Sequence, residues 1–326
     1  MAILVTGAGG LVGRAAVAAL LGQGVEHVRA VVRESAQVGE LRRLGVKVAL
    51  LDATDPDGLA AAMDGVFTAC SLTGGLWTRP GEDPYAAVVE PAEVFLTAAR
   101  ATGVRRVVVC SPAAVGSAAA RANPHLAAKA EVERMVAASG LEHAVLRCTH
   151  VLGPGSRLLG RLADGDPVAV PGDGRQRVAP VWVGDLATAI AAADDAVELS
   201  ATWSVSGPDE VAFDALVDAV HGGPVAKRHL EVGERSSPRL GEGASAGPGE
   251  GPGGGSGPGM MWEESRVGSG EGSDPGGWTP AQIGVLALDA LPDPALERPP
   301  IPPATPLAQA LAASTAPAGS GVARRP

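Results

Sequence analysis

Short apolar runs alternate with helically spaced segments along the first half of the chain. Runs too short for helices read as buried strands at Ile3–Val5, Val28–Val32, Val46–Leu51, Val66–Cys70, Val104–Cys110 and His143–Arg147. Between them, helices are expected at Ala15–Leu21, Glu40–Leu44, Pro56–Met63, Tyr85–Thr102 and Ala127–Ser139. Local signals support these bounds. Asp55 precedes Pro56 as an N-cap before a first-turn proline, and Gly103 and Gly140 close two of the helices. Pro91 inside the fourth helix predicts a kink or a restart. The βα alternation predicts an α/β fold: a parallel sheet with helices on both faces.

Past residue 150 the rhythm breaks. Val168–Val170 and Arg177–Val181 flank the turn cluster Pro171-Gly172-Asp173-Gly174 and read as a pair of short strands. Asp185 is expected to cap a helix over Leu186–Ala193, followed by a strand at Thr202–Ser206 and a helix at Phe213–Val220. Residues 233–277 are mostly glycine, serine, proline and glutamate. They carry too little apolar surface to offset ordering entropy, which predicts a disordered insertion. Order is expected to resume at Thr279-Pro280 with a helix to Leu291, then a proline-rich strap to Pro303, a helix at Leu307–Ala313 and a frayed tail over 316–326. The expected division is a core over 1–150, a smaller covering lobe over 151–232 and 278–315, and the insertion within that lobe.

The first strand runs into Thr6-Gly7-Ala8-Gly9-Gly10-Leu11-Val12-Gly13-Arg14. In the order strand, glycines, helix, each glycine has a physical task. Gly7 permits the sharp turn, Gly10 lets a pyrophosphate approach the backbone, and Gly13 lets helix and strand pack closely. The free amides and positive dipole end of the helix then suit phosphates. Thr6, Gly7, Gly9, Gly10, Leu11, Val12 and Gly13 are the candidate dinucleotide-holding residues.

Composition narrows the partners. With 26 basic and 36 acidic residues, the net charge is −10, and aromatic residues are only 3%; both argue against a nucleic-acid partner. No apolar run reaches the roughly 18 residues of a membrane span. The strand at residue 3 leaves no room for a signal peptide, and three cysteines, an odd count, point to a reducing compartment. A cytoplasmic protein acting on a small molecule is the expectation.

Four segments together resemble the NmrA-like, NAD(P)H-binding branch of the atypical short-chain dehydrogenases/reductases. They are Val5–Arg14, Val104–Ser111, His125–Glu133 and Ser139–Arg147. Trp182-Val183-Gly184-Asp185-Leu186-Ala187 is similar to that family's Val-Asp-Asp helix start. The resemblance spans residues 1–220, and weakly 279–315. It implies a Rossmann-type doubly wound parallel sheet with a small C-terminal substrate lobe. It also implies that Asp52 and Ala53 hold the adenine edge, that Ser71 and Leu72 line the ribose side, and that the loop carrying His150 borders the nicotinamide.

Arg33 stands just past the second strand, where NAD-preferring proteins carry an acid. An arginine there pairs with a 2′-phosphate, and Arg14 adds positive potential, so NADP(H) is favoured over NAD(H). Glu34 opposes this if it points inward, and a solvated surface charge is the plainer reading of Arg33. Tyrosine-dependent reductases of the superfamily place the tyrosine four residues before a lysine. Here Lys129 is retained, but His125 fills the tyrosine slot, and the sole tyrosine is Tyr85. Three accounts follow. Lys129 and Ser111 support carbonyl reduction, with His125 or His150, each with an ordinary pKa near 6.5, as proton donor. Or the acceptor is a quinone, whose product takes protons from water. Or the chain is a non-catalytic NADP(H) sensor that acts through a protein partner, with His125 capping its helix.

Cys70, Cys110 and Cys148 all fall at the carboxyl ends of expected strands. Such thiols beside a cofactor could sense oxidation, although small apolar filling explains them as well. No histidine or carboxylate stands at ligand spacing, so no metal is expected. Arg105 and Arg106 read as a solvated turn before the fifth strand.

Overall fold

The computed structural model describes residues 1–76, 83, 85–196, 199–231, 278 and 280–315. The expected insertion (233–277) and tail (316–326) lie outside the described residues. In chain order the elements begin β1 (Ala2–Thr6), α1 (Leu11–Gly22), β2 (His27–Val32), α2 (Val38–Arg43), β3 (Lys47–Leu50), α3 (Pro56–Met63), β4 (Val66–Ser71) and α4 (Ala86–Ala101). They continue with β5 (Arg106–Pro112), α5 (Pro124–Ala137), β6 (Glu142–Cys148), β7 (Val151–Leu152), α6 (Arg157–Leu162), β8 (Val168–Pro171), β9 (Arg177–Val178) and β10 (Val181–Trp182). The last are α7 (Val183–Asp195), β11 (Ser200–Val205), β12 (Val211–Ala212), α8 (Phe213–His221), β13 (Lys227–Leu230), α9 (Pro280–Leu286) and α10 (Leu307–Thr315).

Seven strands form one parallel sheet in the order β11-β6-β5-β4-β1-β2-β3. It is a Rossmann-type fold. Ile3, Val5, Val108 and Leu146 pack on one face with Ala16, Val17 and Leu20 of α1 and Leu186 and Ile190 of α7. Leu4, Val107, Val109 and Val145 pack on the other with Leu59 of α3, Phe95 and Leu96 of α4, and Val132 and Val136 of α5. Burial on both faces is why these strands read as continuous apolar runs. The strand order reverses at β1, which lies between β2 and β4, so a crevice opens at the carboxyl ends there.

Several elements differ from the sequence reading. The strand expected at 202–206 in the covering lobe is β11, the seventh strand of the main sheet, paired with β6 from Ser200↔His143 to Val205↔Cys148. Its run is as apolar on one side as a lobe strand would be, and the partner is too distant in sequence to be inferred. The segments at 168–170 and 177–181 do not pair with each other. β8 pairs with β13, β9 with β12, and β10 with β7. Strands of two to four residues carry too little alternation to specify a partner. α6 was not anticipated, and α4 runs through Pro91 as one helix.

Two charged residues also take other roles. Arg106 is 2% exposed. It donates to Glu142 Oε2 at 2.7 Å and to the carbonyls of Ala193, Asp194 and Ala196, so it ties the end of α7 to the sheet. Arg106 holds the Glu142 carboxyl below its usual range. Asp185 does not cap α7, which starts two residues earlier with Trp182 at the N-cap. Its carboxylate instead accepts from Ala304 N (3.2 Å), Thr305 N (2.8 Å) and Thr305 Oγ1 (3.0 Å), anchoring the end of the proline-rich strap.

The smaller region is built around Leu152, Leu162, Val170, Phe213, Leu216, Trp278 and Leu286. Its C-terminal part returns to the sheet, where Ser204 N donates to Glu297 O at 2.8 Å. Among the described residues no helix is long and apolar enough to cross a membrane.

Candidate active site

The glycine turn is shaped first by the protein itself. Gly7 has φ +67°, and a Cβ there would lie 2.7 Å from Leu72 O. A Cβ on Gly13 would collide with Gly7 O. Both glycines are therefore required by close packing. Gly10 is different. A Cβ there would meet only Gly7 O, at 3.3 Å, and the space in front is open. Gly10 is the N-cap of α1 with no side-chain cap, and no acidic residue sits in the first turn. The first-turn amides thus face the crevice without carbonyl partners in the helix.

A cleft of about 470 Å³ opens beside this turn. It brings together ten of the sequence-predicted residues: Gly10, Leu11, Val12, Gly13, Leu72, Ser111, His125, Lys129, Cys148 and His150. Thr6, Gly7 and Gly9 are not among the cleft-lining residues. Thr6 Oγ1 donates to Cys70 O at 3.4 Å within the sheet, and the Gln37 carboxamide covers Gly9. Ser71 Oγ pairs with Thr73 Oγ1 at 3.4 Å. Arg33, Asp52 and Ala53 are outside the cleft wall, just past the ends of β2 and β3. Arg33 is exposed. Asp52 Oδ1 accepts from Thr54 N and Thr54 Oγ1, closing a local turn. Arg14 donates to Gly9 O at 2.7 Å and braces the turn.

α5 delivers the catalytic candidates. Asn123, not His125, caps the helix; its Oδ1 accepts from His125 N (3.0 Å) and Leu126 N (3.2 Å). Pro124 follows at the first helical position. The four-residue spacing then sets His125 and Lys129 on one face. Lys129 Nζ donates to Thr73 O and Cys110 O, both at 3.3 Å, bridging the ends of β4 and β5. Burial pulls its pKa below the ordinary lysine value. A bidentate pair between Arg147 and Glu133, 2.7 Å at its shorter contact, holds α5 against β6.

The ordinary histidine value expected for both proton-donor candidates does not hold. Burial, reinforced by the Lys129 ammonium, pushes His125 down to about 3. Burial alone pushes His150 down to about 4. His150 packs edge-on against Phe213, with ring centroids 5.8 Å apart. Both rings are neutral at physiological pH. Ser111 Oγ, His125 Nδ1 and His150 Nε2 are buried polar atoms with no hydrogen-bond partner among the described residues. Three orphaned polar atoms on residues of one cleft wall suit a bound polar ligand, because each would otherwise carry a desolvation cost of about 1–3 kcal/mol.

Sequence reasoning missed the rest of the wall. Thr73, Gly74 and Gly75 follow β4, and the paired glycines were a usable signal: Gly74 has φ +69° and a Cβ there would sit 3.5 Å from Lys129 Nζ. Leu76, Ala113, Ala114, Arg157, Leu158, Val285 and Leu286 are also part of it, with Thr149 and Ser156 among the polar members. They come from separate elements that carry no motif.

A doubly wound parallel sheet with an uncapped glycine turn at its switch point, and a lysine-bearing cleft beside it, defines a dinucleotide-binding α/β protein. The profile of the family described as NAD(P)H-binding matches residues 7–189, more than half of the chain, and the chain belongs to that family. No match was found among curated proteins. Solved structures with the same fold include MoeE5 in complex with UDP-glucuronic acid and NAD, with TM-score 0.60, 23% identity, and coverage of 71% of this chain and 86% of that one. The dTDP-glucose 4,6-dehydratase DesIV from Streptomyces venezuelae, a double mutant with NAD bound, gives 0.61, 21%, 71% and 84%. The UDP-glucuronic acid 4-epimerase from Bacillus cereus gives 0.61, 18%, 71% and 86%.

Proposed function

We propose that the protein is an NADPH-dependent oxidoreductase that passes hydride to a small, largely apolar, quinone-like acceptor. The observation that carries this reading is that, among the described cleft residues, neither a tyrosine nor a readily protonated histidine is present to deliver a proton. Tyr85 is 42% exposed and is not among the cleft residues, while His125 and His150 are held neutral. A carbonyl acceptor needs a proton delivered to its oxygen in the transition state. A quinone does not, since its reduced form draws protons from water. The wall of Leu76, Ala113, Ala114, Leu158, Val285 and Leu286 favours a flat apolar acceptor.

The residues fit a nicotinamide dinucleotide. The amides at Leu11–Gly13 suit its diphosphate, Lys129 its ribose hydroxyls, and Asp52 and Ala53 its adenine end. When bound, the reduced nicotinamide supplies the hydride. Arg33, exposed and without an ion-pair partner among the described residues, suits the 2′-phosphate and favours NADPH. The neighbours' nucleotide-sugar substrates carry a diphosphate that calls for cations. In the described wall only Lys129 and Arg157 offer lasting positive charge, and Lys129 is tied to two carbonyls. Nucleotide sugars are therefore disfavoured here.

Stopped-flow oxidation of NADPH against a panel of quinones and aldehydes tests the reading. Quinones are expected to be reduced, aldehydes far more slowly, and UDP-sugars to have no effect. NADPH binding without oxidation by any acceptor would replace this reading with that of a coenzyme sensor, which the same neutral histidines also suit.

A further inference from the structure

The cleft contains a second chemical centre that hydride transfer does not use. Cys110 ends the apolar part of β5 and Cys148 ends β6. The strands are adjacent and parallel, with Cys110 opposite Leu146 and Pro112 opposite Cys148, so the two thiols are diagonal neighbours on one sheet face. The two thiols are near enough for each to shift the titration of the other. Both residues are partly exposed, and both line the cleft. Cys148 Sγ also approaches Ser111 O at 3.5 Å, and Lys129 Nζ is bonded to Cys110 O. The third cysteine, Cys70, lies on the same face but is 1% exposed and is not part of the wall.

We propose that Cys110 and Cys148 form a redox-active dithiol in the cleft wall, in which Cys148 is the residue oxidised by hydroperoxides and Cys110 resolves it to a disulfide. In the first step the Cys148 thiolate attacks the terminal oxygen of the hydroperoxide. An S–O bond forms, the O–O bond breaks, and the alcohol or water leaves with one proton. Sulfur loses two electrons to the hydroperoxide. In the second step Cys110 sulfur attacks the sulfenic sulfur. An S–S bond forms, the S–O bond breaks, and hydroxide leaves with the Cys110 proton as water.

The environment divides these roles. The neighbouring Cys110 thiol and the Lys129 ammonium hold Cys148 below the ordinary thiol value, against its burial. The Cys148 thiol, with burial, raises Cys110. Burial pushes Cys70 up to about 12, which keeps it a thiol. Thiolate character and access select the site of oxidation, so Cys148 is the reactive member and Cys70 the internal control. The proposal does not depend on the coenzyme or on its acceptor.

The full chain, free of coenzyme, is treated with hydrogen peroxide and followed by intact mass and peptide mapping. The expected product has lost two hydrogens, about 2 Da, through a Cys110–Cys148 bond that dithiothreitol reverses. In Cys110→Ser, dimedone is expected to trap a sulfenic acid on Cys148. In Cys148→Ser, neither remaining cysteine is expected to react. The unsubstituted chain is also expected to bind phenylarsine oxide one to one, which requires no variant to fold. Failure to form the bond while Cys148 stays reduced, or dimedone labelling of Cys70 at a rate equal to Cys148, would overturn the proposal.

Discussion

The two sides of the cleft are built by different means. On the coenzyme side, residues 7–13 form a continuous turn whose shape is dictated within the segment and by one neighbouring strand end. Gly7 and Gly13 are required by contacts with Leu72 O and Gly7 O, whereas a Cβ on Gly10 would press only on Gly7 O, at 3.3 Å. On the proposed acceptor side, the wall is assembled from Leu76, Ala113, Leu158 and Val285, which belong to four separate stretches of chain. The contrast separates what is encoded locally, the proposed place for a diphosphate, from what only long-range packing creates, the wall proposed to select an acceptor.

The sharpest way to break this comparison is at the glycines. Gly13→Ala is expected to abolish the folded state or lower its melting temperature by well over 10 °C, because the new Cβ overlaps backbone. Gly10→Ala is expected to fold with a near-native melting temperature while NADPH affinity falls at least about tenfold. Equal thermal losses in the two variants, followed by differential scanning calorimetry, would erase the distinction between them.

Arg33→Ala sharpens the coenzyme side. NADPH affinity should fall by roughly ten- to a hundredfold, the worth of one charge-assisted contact, while NADH affinity is unchanged. Equal losses for both coenzymes would remove Arg33 from the site.

The two neutral histidines sit where the sides meet, and they make stability depend on pH. Their folded pKa values, about 3 and about 4, lie below the ordinary value of 6.5. Below that value the unfolded chain takes up protons that the folded chain refuses. The stabilisation is complete above pH 6.5 and is lost as pH falls towards the folded values, by up to about 1.4 kcal/mol per pH unit for each ring. Urea unfolding between about pH 7 and 5 should show that slope, and His125→Gln should reduce it by about one proton. A slope unaltered by the substitution would contradict a neutral, buried His125.

The smallest effect is expected on the acceptor side. Val285→Ala should change the acceptor KM by roughly three- to tenfold and leave NADPH affinity intact. A matching change in coenzyme affinity would mean that the two sides are not separable.

Legibility in the sequence follows the same division. The first six sheet strands and most helices were readable because double-sided burial leaves continuous apolar runs, and α3 carries its own cap in Asp55. The glycine turn was readable because its constraints are local. β11 was misassigned to the covering lobe because its partner β6 is some fifty residues away and nothing in Ser200–Val205 names it. Arg106 was read as solvated because the carbonyls that satisfy it come from the end of α7. His125 was located by its spacing from Lys129, but its pKa depends on burial beneath segments remote in sequence. The Gln37 carboxamide over Gly9 had no signal at all.

The most direct measurement is a calorimetric titration of the folded chain with NADPH and with NADH. The account predicts saturable one-to-one binding of NADPH, weaker binding of NADH, and loss of the NADPH signal in Gly10→Ala. A folded chain that gives neither heat nor saturation with either coenzyme would contradict it.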